Sequence, residues 1–313
     1  MDGKVSVIGA AVVDIHAGNI DKDIFRIGSV PADSIGMSCG GDALNEAVIL
    51  AGLGVRTELV SLTGDDEAAK TVFKCLSDNK VDTAGITVKP GINTAMNIVL
   101  VDGEGERYFI TDPESSLRQL SKEHILPYID GMGDIVSFAS IFVSPKLSVR
   151  DMEEVFRAVK EKSGRILVAD MTTAKNGETI EDIEPILKYI DYLIPNEREA
   201  YLLTGDSDPV KSAERFIEHG SSTVVIKCGK NGCIYKSVSA QGTVPAYRHV
   251  AVKDTTGAGD SFVAGFIYGL GKGWRLQDCC RYGCAVASVV VEHMGTQCIN
   301  AIMNEADKRF AET

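Results

Sequence analysis

The chain has 313 residues, 44% hydrophobic and 24% charged, which suits one large α/β domain or two ordinary ones and excludes general disorder. Thirty-two Lys and Arg against 44 Asp and Glu give a net charge of −12, a poor match for nucleic acid or an anionic membrane, both of which select basic patches. Any phosphate must be held locally, by backbone N–H groups, a metal ion or a few cations.

In chain order, a buried strand is expected at Lys4–Gly9, followed by an irregular, charged stretch to about Gly36. A helix runs from Asp42 to Leu53, with Ala43, Leu44, Ala47, Val48 and Ala51 on one face and Gly54 closing it. Strand Thr57–Leu62 precedes a helix that starts at Asp65–Asp66, where acids suit the helix N-terminus. Met96–Val101 and Arg107–Thr111 flank Asp102-Gly103-Glu104-Gly105 as a β-hairpin. With the segment at 15–36, residues 93–111 form a small antiparallel sheet inserted as a lid. Then a helix at Lys122–Ile129 leads to strand Ile135–Ala139, helix Val149–Lys162 to strand Ile166–Asp170, and helix Ile180–Leu187 to strand Tyr192–Ile194. Helix Pro209–His219, strand Thr223–Lys227, a hairpin at Gly232–Lys236 and two helices, Ala258–Leu270 and Leu276–Glu292, complete the core. Such alternation implies a mainly parallel sheet covered on both faces. The expected organisation of residues 1–313 is therefore a single α/β domain with a small β lid.

No apolar run reaches the ~18–20 residues that cross a bilayer, and no basic region marks a secretory signal. A cytoplasmic location is expected. Among the cysteines, Cys39, Cys75, Cys228 and Cys233 are scattered, while Cys279, Cys280 and Cys284 share one expected helix. There is no CxxC and no His at metal spacing, so these read as buried thiols.

The strongest chemical signal is Asp254-Thr255-Thr256-Gly257-Ala258-Gly259-Asp260, directly before an apolar helix. Small residues at 257–259 let the backbone approach a ligand, and a helix N-terminus adds its positive end, making an anion cradle without basic side chains. Asp260 could simply stabilise the helix start. A carboxylate beside an anion cradle is also what phosphoryl transfer to a hydroxyl needs from a base. The second signal is Gly40-Gly41-Asp42-Ala43-Leu44-Asn45, opening the first long helix. The glycines alone could be a turn. Asn45, one turn into an apolar helix, is a poor helix former there and suits hydrogen bonding to a polyol.

These two motifs, in order and about 210 residues apart, resemble the hallmarks of the ribokinase family of pfkB-type carbohydrate kinases, over roughly residues 5–297. The resemblance implies a ribokinase-like three-layer sandwich and ATP-dependent phosphorylation of a small polyhydroxy acceptor. By that resemblance Asp260 is the base, Gly257, Ala258 and Gly259 the anion cradle, and Asp14, Gly40, Gly41 and Asn45 the acceptor site. Asn196 and Glu199 resemble the Asn-x-x-Glu element near Mg2+, with Glu199 acting through water, although their spacing equally fits a helix capping box. Lys227, Gly229 and Gly232 resemble the turn beside the nucleotide, and Asp254 the position beside a monovalent cation such as K+. The family's lids often clasp a twin, so a homodimer is expected.

Two departures bear on the acceptor: Asp42 stands where ribokinases often carry Lys, and Val143 where they place a sugar-contacting acid. With Asp14 and Asp42 near the acceptor and only Lys22, Arg26 and Arg107 in the lid as nearby cations, an uncharged sugar is the expected acceptor. A nucleoside, a sugar phosphate, or nucleotide and sugar sensing without catalysis are the alternatives.

Overall fold

The computed structural model describes residues 3–104, 106–293 and 299–312; Gly105 of the expected turn and 294–297 at the end of the resemblance lie outside them. Thirteen strands are described. They are β1 Val5–Ile8, β2 Val12–Ile20, β3 Ser34–Gly40, β4 Thr57–Thr63, β5 Ile86–Val88, β6 Met96–Asp102, β7 Arg107–Thr111, β8 Ile135–Ile141, β9 Ile166–Met171, β10 Tyr192–Leu193, β11 Thr223–Lys227, β12 Cys233–Ser237 and β13 Gln241–Val244. The helices are α1 Ile24–Ile27, α2 Asp42–Gly52, α3 Glu67–Asp78, α4 Ser116–Gln119, α5 Val149–Glu161, α6 Ile180–Leu187, α7 Glu197–Thr204, α8 Pro209–Glu218, α9 Ala258–Gly271, α10 Leu276–Val290 and α11 Ile299–Ala311.

Nine strands form one sheet in the order β13-β12-β11-β10-β9-β8-β1-β4-β5. Pairings from β5 to β11 are parallel, and β12 and β13 add an antiparallel edge. Because strand side chains alternate, each parallel strand feeds two cores. Val5, Val7, Leu59, Val168 and Val225 pack with residues of α2, α9 and α10. Ile8, Val60, Val136, Leu167 and Val224 pack with residues of α5 and α6. That double burial is why these strands read as continuous apolar runs, and it yields the three layers.

The second sheet has the order β3-β2-β6-β7. Its β2–β6 pairing is parallel and the other two are antiparallel. The stretch expected to be irregular up to Gly36 holds β2 and the start of β3. Its alternation explains this: Val13, Ile15 and Ala17 lie in register with Met37, Ile35, Ile98, Leu100, Tyr108 and Ile110 on an apolar face. The other face carries Asp14, His16, Ser38, Asn97 and Arg107.

The helix expected at Lys122–Ile129 is instead two 3-10 turns, Lys122–His124 and Leu126–Gly131. Pro127 lacks an N–H and drives the preceding residue from the α region, so one continuous helix cannot form. The seven described cysteines are free, and all but Cys75 are buried.

Candidate active site

The candidate site lies where β9, β10 and β11 end and α2, α7 and α9 begin. The crevice beyond the C-terminal ends of parallel strands is the general position for ligands in such sheets. At α2, Gly41 has φ +92°, and a Cβ there would stand 2.7 Å from the Ala10 carbonyl oxygen. A side chain on Gly40 would collide with the Asp14 carboxylate. Gly41 is thus required by close approach to backbone, whereas at Gly40 the neighbour is the end of a side chain. Asp14, across the β2–β3 pair, accepts a hydrogen bond from Asn97 at 2.8 Å, and burial raises its pKa despite that bond.

At α9, Gly257 adopts φ +72° as the N-cap. The Ala258 N–H turns back to the Thr255 carbonyl at 3.2 Å, so it is committed within the loop. Asp260 follows in the first turn, and its Oδ2 accepts from Asn45 Nδ2 at 2.8 Å. One hydrogen bond therefore joins the two motifs.

A cavity of about 330 Å³ brings together Asn196, Glu199, Lys227, Gly229, Gly259 and Asp260. Asp42, Ser140 and Asp170 complete its polar wall. Asp14, Gly40, Gly41, Gly257 and Asp254 stand outside this wall, at the base of the small sheet and along the loop into α9. A second cavity of about 480 Å³ shares Lys227, Gly229 and Gly259, and is otherwise more apolar, with Ala246, Val250, Val252 and Phe262. Gly232 lines it too; a side chain there would strike the Val244 carbonyl.

The first cavity is electrostatically lopsided. Lys227 Nζ pairs with Asp170 Oδ2 and stands 3.4 Å from where a Gly259 Cβ would be. Burial opposes the Lys227 charge, but Asp170 and Glu199 more than offset it and its pKa is raised. Asp42, Asp170, Glu199 and Asp260 all feel this cation. Burial first, and then the neighbouring Asp42 charge, raise the Asp260 carboxyl far above the ordinary range. Asp42, whose Oδ2 accepts from the Ser140 hydroxyl, and Asp170 are raised mainly by burial. Burial also pushes Glu199 up to about 7. Behind them Glu46 is 1% exposed, its Oε1 has no hydrogen-bond partner among the described residues, and burial raises its pKa strongly. Raised carboxyls crowded around the N-terminus of a helix are the kind of perturbation that functional sites build.

Asn196 and Glu199 do form the capping box. Glu199 N–H donates to Asn196 Oδ1 at 2.9 Å, and Asn196 N–H donates to Glu199 Oε2 at 2.8 Å. Glu199 thus holds the start of α7 and also lines the cavity.

Sequence reasoning missed Asp170, Ser140, Lys175 and Arg118. Asp170 carried a usable signal, as an acid at the C-terminal end of an apolar parallel strand. The side chains of Lys175 and Arg118 make no hydrogen bond or ion pair among the described residues. Arg118 acts on the Lys175 charge, and Lys175 also faces the Asp42 carboxylate. Burial and then Arg118 lower the Lys175 pKa.

Residues 2–302 match the model of the pfkB family of carbohydrate kinases. A 2-dehydro-3-deoxygluconokinase of Haemophilus influenzae is 25% identical over 308 residues, covering 93% of this chain and 94% of that protein. The ribokinase of Arabidopsis thaliana, solved with ribose and ATP, superposes with a TM-score of 0.84 at 23% identity, covering 99% of both chains. A chain described as ribokinase II of E. coli, solved with ATP and Mg2+, gives 0.82 at 24% identity over 99% of both. These two structures establish the ribokinase-like fold.

Proposed function

This chain belongs to the pfkB family of carbohydrate kinases, and on that footing we propose that Asp260 is the general base of an ATP-dependent transfer to a sugar hydroxyl. Transfer of phosphate from ATP to a sugar is the activity of the family; the residue roles are this reading's own. The observation that carries them is the Asn45–Asp260 hydrogen bond, which sets a polyol-binding amide and a carboxylate together at the N-terminus of α9. As the acceptor oxygen bonds to the γ-phosphorus, the bond from phosphorus to the β–γ bridging oxygen breaks and the proton passes to Asp260. The Gly257 and Gly259 N–H groups and Lys227 Nζ stabilise charge on the transferring group. The more apolar cavity takes the nucleoside of ATP, with Gly229 and Gly232 shaping its edge.

The carboxylates of the first cavity are the hard oxygen donors that Mg2+ takes. The set fits an ion that Glu199 and Asn196 would hold through water. When bound, Mg2+ supplies charge neutralisation on the phosphates. The small sheet, carrying Asp14 and Asn97, closes as a lid over the acceptor and excludes water, the competing nucleophile. Its opposite face leaves Ile35, Met37, Ile98, Tyr108 and Ile110 exposed. Such an apolar patch on a four-stranded sheet favours a second copy packing there, and a homodimer through the lid is part of this proposal.

The acceptor reading is a neutral sugar, held by Asp14 with Gly41 and Asn45, since Arg107 is engaged elsewhere. A sugar acid is the second reading, favoured by Lys175, which faces Asp42 and has Arg118 as a second cation beside it, and in keeping with the name of the Haemophilus relative. ADP release with neutral sugars, sugar acids and sugar monophosphates separates the two. A preference for the acid that Lys175→Ala or Arg118→Ala removes selects the second reading.

A further inference from the structure

Arg107 belongs to β7 of the small sheet, yet its guanidinium ends on the loop that leads into α9. Nη2 donates to Asp254 Oδ1 at 2.6 Å, and Nη1 donates to the Thr256 hydroxyl. The same Asp254 oxygen accepts the Thr256 N–H at 2.9 Å. Asp254 is 8% exposed. A buried carboxylate at the entry to the anion cradle is thus neutralised and oriented by a group that crosses from the other sheet. A monovalent metal ion, implied beside Asp254 by the resemblance, does not fit this arrangement. Oδ1 already takes two donors, and a second full positive charge beside the guanidinium would be repelled.

We propose that Arg107 takes the place of that ion: its guanidinium is the cation of the Asp254 site, so this chain needs no monovalent metal and its anion cradle is completed by the lid. The proposal rests on the kinase reading given above. Arg107 is a positioning residue. Asp254 and Thr256 precede Gly257 by three residues and one, so fixing them fixes where the cradle N–H groups point. Because Arg107 travels with the small sheet, closing over the acceptor and ordering the phosphate loop become one event. A metal ion could not provide that coupling, since it would stay in the loop whether the lid is open or closed. Arg serves here better than Lys because its planar fork reaches the carboxylate and the hydroxyl together.

The test compares the full chain and Arg107→Met in choline chloride and in KCl at equal ionic strength, by ADP release and, independently, by thermal melting in the presence of MgATP. For the parent, rate and melting temperature should be the same in both salts. Arg107→Met should lose at least tenfold in kcat in choline and recover severalfold when KCl or guanidinium ion at low millimolar concentration is added, with a melting temperature that K+ now raises. A parent enzyme activated more than about threefold by K+ overturns the proposal. So does an Arg107→Met variant as active as the parent in choline, or one that neither cation restores. If no acceptor supports turnover, the kinase reading fails and the melting comparison still decides the role of Arg107. If Arg107→Met does not fold, the parent's response to the two salts decides alone.

Discussion

The crowding of carboxyl groups around Lys227 predicts that the site is held at the expense of stability, and Asp260→Asn exposes this. Asp260 is raised from its ordinary 3.8 by burial and by Asp42. A carboxyl whose folded pKa lies above its unfolded value binds more protons folded than unfolded between the two. Stability therefore falls as pH rises through that window. One pKa unit corresponds to about 1.4 kcal/mol. Asp260 shares its proton affinity with Asp42 and is partly reached by water, so the net penalty at pH 8 is about 1–3 kcal/mol, within the range found when buried charges are replaced by neutral groups. Asn keeps the shape and can still bond Asn45. The variant should therefore melt higher than the parent at pH 8 by roughly 2–6 °C, at about 2 °C per kcal/mol for a chain of this size. That gap should shrink towards pH 5, where the parent carboxyl is itself protonated. Calorimetric melting of both proteins from pH 5 to 8.5, without ligand, reads this directly. A variant less stable than the parent at pH 8, or a gap that does not change with pH, refutes the electrostatic account of the site.

The same raised pKa makes activity depend on pH in the opposite sense: kcat/KM should rise with pH as Asp260 loses its proton, and a profile flat from pH 5.5 to 8.5 would remove it as base. Asp14→Ala should raise the acceptor KM by tenfold or more while leaving that of ATP nearly unchanged, since charge-assisted hydrogen bonds are worth about 1.5–3 kcal/mol each; equal effects on both substrates would make Asp14 structural. Gly232→Ala should destabilise the fold by about 2 kcal/mol or more and weaken ATP binding, because the added methyl meets the Val244 carbonyl and φ is +91°; a fully stable variant with parental ATP affinity would contradict that geometry. Ile98→Lys should convert a dimer in sedimentation to a species near 33.5 kDa, and a parent that is already monomeric at micromolar concentration ends the dimer proposal.

The parallel core was legible because strands covered on both faces show unbroken apolar runs, and the turn into α9 because small residues precede an apolar helix there. Strand β2 was less so. Asp14, His16 and Asn19 give it a polar look, although the alternation of Val13, Ile15 and Ala17 was there to be read. The 3-10 turns after Leu120 follow from Pro127, a local signal that the apolar spacing outweighed. The contacts that tune the site could not be read from spacing at all. Asp42 with Ser140, Asp170 with Lys227 and Arg107 with Asp254 join residues 98, 57 and 147 positions apart. Arg107 was visible as a lid cation, but its destination depends on how the small sheet docks over the loop into α9.

The account turns on Asp260 taking a proton from a sugar hydroxyl that attacks ATP. The most direct test follows transfer of label from γ-labelled ATP to a sugar, in parent and Asp260→Asn, with folding of both confirmed by melting. The account predicts that the parent forms labelled sugar phosphate in step with acceptor-dependent ADP. The variant should be slower by about 10²–10⁴-fold, the usual contribution of a positioned base. ADP released without regard to acceptor, or a folded variant within tenfold of the parent, would contradict it.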